Sequence, residues 1–381
     1  MINKPKIKSD SPLVTVIVPS FNHASFLEER LRSISAQSYQ SIEIILLDDA
    51  SQDHSAQILR RYQIEEPRVI LLDINEKNSG STNKQWIKGL KHAKGEFVWI
   101  AESDDVAEHK FLEILVKQFS IYDAGLVYCN SSMIDEAGNV IGEYNYKSKY
   151  YKNIWDQSFI KEGKELIRDY FIFANIIPNV SAVLFKTKHL QRSLHNSEFK
   201  YCGDWACYLN LALCSDIVFI HQKLNLFRQH TNTTRWHSVK SYSRELKEKI
   251  SLLRFIKMTQ LPNINKNISH ALANLFIFRN KYKRIARIVK RLRQLEVDKI
   301  ALYGCNDIAN ILLTELSNRH EITLIFDRDK AGQVCQGIAV SQLNQENLTM
   351  INVIVICSLE HAQSMKSELS KLNYKGLILT I

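Results

Sequence analysis

Two acidic clusters are the residues of this 381-residue chain best suited to chemistry: Asp48-Asp49 and Ser103-Asp104-Asp105. Each follows an apolar run, IEIILL before the first and FVWIA before the second. Adjacent carboxylates repel, and one of the two is driven toward its neutral form. A divalent cation removes that penalty. Oxygen ligands suit Mg²⁺ or Mn²⁺, which commonly take one or two carboxylates together with the phosphate oxygens of a substrate. An Asp at a strand end is also an ordinary helix cap. Two such sites within one array of elements are therefore what carries the reading.

The elements that must position these acids can be read from the apolar pattern. LVTVIV (13–18), ended by Pro19, and IEIILL (42–47) are buried-strand signals, as are segments 68–73 and 96–101. Helical patterns over 24–37, 55–63 and 82–93 alternate with them. Strands alternating with helices imply a parallel sheet covered on both faces. Polar groups gather just past the strand ends, where open α/β sheets bind ligands. Segment 121–238 is mixed, with strands expected at 125–130, 180–185 and 217–221 and helices at 161–173 and 204–214. From 239 to about 295 the pattern is helical and basic, and a second α/β unit follows.

The stretch VTVIVPSFNHASFLEERLRSISAQSYQSIEIILLDDASQD, followed by NSGSTNKQWIKGLKHAKGEFVWIAESDD, resembles family 2 glycosyltransferases of the GT-A fold. The resemblance covers nearly all of 13–110 and extends more loosely to about 238. It implies an α/β fold with a Rossmann-like mixed sheet, the nucleotide-diphospho-sugar transferase architecture, over 1–238. A basic helical linker (239–297) and a small Rossmann-like domain (298–381) would follow.

The same resemblance implies roles. Pro19 looks like the position whose backbone touches the nucleotide base. Asp49 resembles the acid that hydrogen-bonds a uracil-type base, with Asp48 beside it. Asn78, Gly80 and Lys84 fall in a loop near the donor, Lys84 as a phosphate contact, and Trp86 reads as core. Ser103-Asp104-Asp105 resembles the DXD motif with its first Asp replaced. Asp105 is then the expected direct ligand of Mn²⁺ or Mg²⁺, and Asp104 faces the sugar or ribose.

Attack of an acceptor hydroxyl on an anomeric carbon needs a base. In YCGDWACYLNLAL, Asp204 directly precedes an apolar helix. It suits an N-cap, and it resembles the catalytic Asp of the family's ED motif, here with Gly203 in place of Glu. In LFRQHTNTTRW, His230 is a candidate for the diphosphate or the metal shell, and Arg228 or Arg235 for offsetting diphosphate charge. Asn232 to Trp236 resembles the QxxRW of processive synthases with Asn replacing Gln, and the chain reads as non-processive. The implied reaction is a single inverting displacement from a nucleotide-sugar, a UDP-sugar first, to a glycan or lipid-linked acceptor in surface polysaccharide synthesis. A nucleotidyltransferase would want a Gly/Arg/Lys-rich loop after the first strand, which PSFNHASF lacks. A scaffold that keeps the fold without metal-dependent nucleotide binding is the other alternative.

The net charge of +10 is not evenly spread: residues 239–296 alone carry 15 Lys/Arg against three Asp/Glu. The densest part, RNKYKRIARIVKRLR (279–293), has apolar residues at three- and four-residue spacing and reads as an amphipathic helix. It suits either a solvated face between domains or an anionic membrane surface. No nucleic-acid-binding motif accompanies it. In the last unit only Gly304 of a GxGxxG pattern survives, with Asn306 and Ala309 in the other glycine places, and Asp327 ends the second strand. A structural or interaction domain fits better than an NAD enzyme. Seven scattered cysteines without CxxC read as buried reduced thiols. No apolar run is long enough to span a bilayer and no signal peptide is visible. The expected place is the cytoplasm, peripheral on the cytoplasmic membrane face if the basic helix binds lipid.

Overall fold

The computed structural model describes residues 11–144, 146, 152–194, 199–230, 239–295, 297, 299–316 and 321–381. The chain forms two compact units, Met1–Thr231 with Ser251–Ala271, and Asn232–Ile250 with Leu272–Ile381. The segment expected as a separate basic linker is thus divided between them. Its two helices, Val239–Met258 and Ile264–Leu292, each have one part in either unit.

The first unit is a mixed sheet with helices. Its strands are β1 (Val14–Ser20), β2 (Ile42–Asp48), β3 (Val69–Ile74), β4 (Phe97–Ile100), β5 (Val106–Ala107), β6 (Ala124–Ile134), β7 (Val140–Glu143), β8 (Phe159–Lys161), β9 (Val183–Lys186) and β10 (Asp216–Arg228). Its helices include α1 (Ala24–Ser35), α2 (Ser55–Glu65), α3 (Thr82–Leu90), α4 (Phe111–Ile121), α5 (Gly163–Leu166), α6 (Thr187–Ser193) and α7 (Gly203–Ala212). The main strand order is β3-β2-β1-β4-β9-β6-β10-β5. The first four are parallel, as the sequence pattern implied, and β9 runs antiparallel between β4 and β6. β1 and β2 are buried at every residue, which is why they read as unbroken apolar runs.

Two of the polar residues in those strands, Thr15 and Glu43, pair with each other. Thr15 Oγ1 donates to Glu43 Oε1 at 2.6 Å and accepts from Gly95 N at 2.9 Å, while Lys94 N donates to Glu43 at 2.7 Å. This buried network fixes the turn into β4. A Cβ at Gly95 would fall 2.6 Å from the Thr15 backbone nitrogen, so only glycine permits the approach. Behind the sheet, Val16, Val18, Leu27, Leu31, Leu46, Trp99 and Phe111 form one core. Burial of each such side chain contributes about 1.5–3 kcal/mol. The result is that β1, β2 and β4 end side by side, with the two acidic clusters beyond them.

The second unit carries β11 (Lys299–Tyr303), β12 (Glu321–Phe326), β13 (Val334–Cys335), β14 (Ile338–Ser341), β15 (Val353–Ile356) and β16 (Leu377–Thr380), in the order β13-β14-β12-β11-β15-β16. After β11, Gly304 takes the left-handed conformation (φ 105°) a Rossmann turn requires. The remaining polar groups are used internally. Asn306 accepts from Ile308 N at 2.9 Å and donates to the Cys357 carbonyl at 2.7 Å. Asp327 accepts from Cys305 N, Asp329 N and Lys330 N. It serves as the turn residue of DRDKAG.

Helix 264–292 places Ile285, Ile288, Val289 and Leu292 in the core of this second unit. Arg279, Lys283, Arg284, Arg287, Lys290 and Arg291 remain exposed. Among the described residues no helix is long and apolar enough to cross a membrane. The cysteines are only partly as expected: Cys129, Cys202, Cys207 and Cys357 are buried, Cys305 and Cys335 half-buried, and Cys214 exposed.

Candidate active site

The loop after β1 is shaped by side-chain hydrogen bonds to its backbone. Asn22, in the left-handed region (φ 54°) that Asn tolerates, receives Gln52 N at 2.8 Å, and its own N–H donates to Ser51 Oγ at 2.9 Å. His23 N donates to Ser55 Oγ at 3.1 Å and Ala24 N to Asp53 Oδ2 at 2.9 Å. These contacts hold His23 toward the β4 end, where its Nδ1 lies 2.8 Å from Ser103 Oγ.

There it meets two residues distant in sequence. His230 Nε2 is 3.0 Å from Asp104 Oδ2, and the His23 and His230 rings stand edge to face with centroids 5.4 Å apart. One ligand atom from each of His23, Asp104 and His230 lies within 4.8 Å of the others. Bonds of about 2.0–2.2 Å to nitrogen or oxygen place neighbouring ligands about 3–4.4 Å apart, so a small closure would fit the three around one cation. Burial lowers the His23 imidazole below its ordinary range, which favours the neutral form a metal needs. Burial raises the Asp104 carboxyl, but the hydrogen bond from His230 and the two nearby imidazoles outweigh it and keep it below the usual range.

Asp105 points elsewhere. Its Oδ2 accepts from Asn179 Nδ2 at 2.8 Å and its Oδ1 from Arg228 N at 3.0 Å. Burial, then the Asp104 charge, push its carboxyl up to about 7. Both oxygens of Asp105, expected to bind a cation directly, are engaged by protein donors, while Asp104 stands in the cluster with His23 and His230. Successive residues send their side chains to different sides, and the motif alone did not show which side held the histidines. Glu102, not singled out from sequence, completes the acidic group. Loss of hydration and the Asp104 charge push it up to about 8. Its Oε1 accepts from Trp86 Nε1 at 2.8 Å, so Trp86 is both core and anchor.

Two buried arginines balance these acids. Arg30 Nε donates to the Glu102 carbonyl at 2.7 Å, with its guanidinium 5.3 Å above the Trp99 ring. Burial lowers it to about 10 against the pull of Asp105, Asp104 and Glu102, so it remains charged at neutral pH. Arg228, expected as a free diphosphate contact, is instead only 1% exposed. Its Nε donates to the Asp104 carbonyl at 2.8 Å, its Nη1 to the carbonyls of Asp135 and Glu136, and its Nη2 to Glu29. Arg235, with Asn232 and Trp236, lies outside the described residues.

At the β2 end Asp48 is fully buried and its Oδ1 accepts from Ser51 N at 2.9 Å. Asp49 Oδ1 accepts from Asn75 Nδ2, Ser79 N and Gln85 Nε2, and its Oδ2 from Ser79 Oγ. The loop beyond is pinned by this carboxylate. Asn78 Oδ1 receives Gly80 N, Gly80 takes φ 71°, and Lys84 Nζ donates to the Ser79 carbonyl at 3.2 Å. Pro19 is buried in β1 opposite Leu47.

Asp204 is the second residue of α7, and Cys202 holds the capping position. The N-cap expectation is corrected: Asp204 belongs to the first turn, where a carboxylate also meets the positive end of the helix dipole. Its Oδ2 accepts from Asn175 Nδ2 at 2.8 Å and its Oδ1 from Trp205 N at 2.7 Å. The buried Tyr208 hydroxyl is raised first by burial and then by Asp204, Cys207 and Glu102. The charges of Asp204 and Glu102 thus both act on the Tyr208 hydroxyl.

The sequence profile of Glycosyl transferase family 2 matches residues 15–176, from β1 past both acidic clusters. The glycosyltransferase GlyG of Streptococcus pneumoniae serotype 4 is 30% identical over 234 residues, which span 58% of this chain and 73% of that protein. The chain belongs to glycosyltransferase family 2. Another relative is the GalNAc(5)-diNAcBac-PP-undecaprenol beta-1,3-glucosyltransferase of Campylobacter jejuni, 27% identical over 218 residues, 57% of this chain and 65% of that one. Among solved structures, the mannosyltransferase PcManGT of Pyrobaculum calidifontis, in complex with GDP-Man and Mn²⁺, superposes with a TM-score of 0.51 at 20% identity over 81% of each chain. TarS 1-349 of S. aureus in complex with UDP gives 0.50 at 18% identity, over 69% of this chain and 70% of that one. The fold of this glycosyltransferase is therefore GT-A.

Proposed function

We propose that this glycosyltransferase moves a sugar from a nucleotide-sugar, a UDP-sugar first, to a hydroxyl of a glycan or lipid-linked acceptor in surface polysaccharide synthesis, by a single metal-dependent inverting displacement. The observation that carries the reading is the His23–Asp104–His230 cluster at the end of β4. Support comes from the structural relatives, one bound to UDP and another to GDP-Man and Mn²⁺, and from the relative whose name carries an undecaprenol-linked acceptor.

His23, Asp104 and His230 would hold the cation. Two imidazoles and one carboxylate suit Mn²⁺ better than Mg²⁺, which prefers oxygen ligands. A divalent cation supplies Lewis-acid stabilisation to a departing nucleoside diphosphate. The protein's own part is positioning and proton transfer. Asp49 fixes the Ser79 loop, and its Oδ2, with one protein donor, has room for a base N–H. Pro19, Asp48, Asn78, Gly80 and Lys84 line the donor side, Lys84 next to the phosphates. Asp204, steadied by Asn175, takes the acceptor proton as general base. Asp105, Arg30 and Arg228 hold the acidic loop rather than the substrate.

The second unit serves as a structural or interaction module, and the exposed cationic face of helix 264–292 attracts the anionic cytoplasmic membrane surface, near a lipid-linked acceptor. A thermal-shift panel of nucleoside diphosphates and nucleotide-sugars, with Mn²⁺ and with EDTA, tests the central reading. A ligand at 100 times its Kd stabilises by about 2.7 kcal/mol. At about 2–4 °C per kcal/mol, several degrees are expected for one nucleotide class with Mn²⁺. No Mn²⁺-dependent shift with any nucleotide would sink it.

A further inference from the structure

The second unit brings together two cysteines that the sequence keeps 30 positions apart. Cys305 lies in the turn between β11 and the helix Asp307–Leu316, and Cys335 ends β13. Three contacts fold segment 327–335 onto that turn and the start of the helix. Cys305 N donates to Asp327 Oδ2 at 2.7 Å, and Lys330 Nζ donates to the Cys305 carbonyl at 2.7 Å. Cys335 Sγ donates to Asn310 Oδ1 at 3.2 Å. Asn310 N in turn donates to the carbonyl of Asn306, next to Cys305, at 3.0 Å. Both cysteines pack on the same core, and their thiols are within hydrogen-bonding reach of each other. Both are half-buried, whereas the nearby Cys357 is fully buried with its Sγ turned to the Val355 carbonyl at 3.5 Å.

A disulfide needs the two sulfurs to close to about 2.05 Å. The movement falls on the hairpin of β13 and β14, at one edge of the sheet. Its turn residues, Gln336 at φ 47° and Gly337 at φ 82°, have the left-handed conformations of a two-residue hairpin turn. A Cβ at Gly337 would meet nothing within 4 Å, and Val334 is exposed, so little packing resists the shift. Burial and the Cys305 thiol push the Cys335 thiol up to about 11. Cys335 therefore keeps its proton, and Cys305 is the sulfur that meets an oxidant first. The Lys330 ammonium, held at the Cys305 carbonyl, is the nearby positive charge that favours a thiolate.

We propose that Cys305 and Cys335 form a thiol–disulfide modification site, oxidised by hydrogen peroxide or by a low-molecular-weight disulfide. With peroxide, the Cys305 sulfur attacks one oxygen, the O–O bond breaks, and a sulfenic acid and a hydroxide form. The Cys335 sulfur then displaces the sulfenic hydroxyl, and the S–S bond forms. Two thiols are oxidised to one disulfide while the peroxide is reduced to two waters. With a disulfide oxidant, Cys305 displaces one thiolate to give a mixed disulfide, and Cys335 displaces the other. The product ties the sheet edge to the turn after β11. By restricting the unfolded chain it makes the oxidised second unit the more stable form. This goes beyond the glycosyl transfer proposed above and does not depend on it.

The test uses the full chain as Cys214→Ser, which removes the exposed thiol. The folded protein is treated with hydrogen peroxide or oxidised glutathione, remaining thiols are alkylated, and peptides are mapped without reduction. The expected result is one product in which the peptides bearing Cys305 and Cys335 are joined, with two fewer alkylatable thiols and full reversal by dithiothreitol. Its melting transition should rise on oxidation. Adding Cys335→Ser should stop the reaction at a sulfenic acid or a glutathione adduct on Cys305 and abolish that rise. Adding Cys305→Ser should slow reaction at Cys335 by about tenfold or more. The inference is overturned if both thiols stay alkylatable, if Cys305 takes only an adduct while Cys335 stays free, or if the joined peptides carry other cysteines. A link that forms only after denaturation overturns it as well.

Discussion

The backbone N–H of Arg228 donates to Asp105 Oδ1 at 3.0 Å, joining the last residue of β10 to the acidic loop after β4. The Arg228 side chain adds a bond to the neighbouring Asp104 carbonyl at 2.8 Å. This latch carries His230, two residues on, to Asp104. On the proposed function, Asp105 positions this loop and Asp104 holds the cation.

The two acids should then respond differently. Asp105→Asn sets an amide donor near Asn179 and disturbs two buried bonds, so unfolding free energy should fall by about 1–3 kcal/mol. Asp104→Asn should lower Mn²⁺ affinity by more than about tenfold, the least expected even for outer-shell partners, with a smaller change in metal-free stability. His23→Gln should weaken Mn²⁺ more than Mg²⁺. Metal titrations and chemical denaturation on each variant decide this. A larger metal loss in Asp105→Asn than in Asp104→Asn would reverse the assignment.

Asp204→Asn should cut turnover by a factor on the order of 10²–10⁴ and leave nucleoside diphosphate binding unchanged. The measurement is steady-state transfer alongside a binding titration. Near-normal turnover rejects Asp204 as the base.

The acid limb of stability should depend on Glu66. Arg68 holds its carboxylate through two bonds, 2.8 Å from Nε and 2.7 Å from Nη2, and Ser35 Oγ adds a third. The Arg68 bonds dominate and hold the Glu66 carboxyl down to about 2. Because the folded value lies below the unfolded one of about 4.3, the unfolded chain binds the proton first as pH falls. The stabilisation, on the order of 3 kcal/mol, is complete above about pH 5 and disappears toward about pH 2. Denaturation of Glu66→Gln across that window should show a flatter pH dependence than the wild type. An unchanged slope would exclude the pair as its source.

Reversal of Arg284, Arg287 and Arg291 to Glu should abolish sedimentation with phosphatidylglycerol vesicles, since each basic side chain contributes about 1 kcal/mol near an anionic surface. Wild-type binding should also fall with added salt. Equal binding by the triple variant, or none by the wild type, would remove the membrane from the proposed function.

Much of this was legible in the sequence because buried parallel strands advertise themselves. β1 and β2 are continuous apolar runs, and their acidic ends needed no tertiary knowledge to be noticed. Asp104 and His230 were both named, but their 3.0 Å pairing spans 126 residues and follows from the antiparallel half of the sheet. His23 gave no local sign: a single histidine in a loop joins a cluster only when Ser103 and Asp104 arrive from another strand. Arg228 misled for the opposite reason. Its charge suggested solvent and substrate, whereas the carbonyls of Asp104, Asp135 and Glu136 and the Glu29 carboxylate already enclose it.

The apolar stripe of helix 264–292 lies in the core of the second unit, through Ile285, Ile288, Val289 and Leu292. The helix therefore cannot roll that stripe onto a bilayer without dismantling the unit. What it can offer lipid is charge, with Phe276 and Ile277, 59% and 64% exposed, near its middle. An enzyme attached in this way would have a short dwell time set by ionic strength. It would visit many acceptors in the plane of the surface and stay with none, a patrolling catalyst rather than a resident.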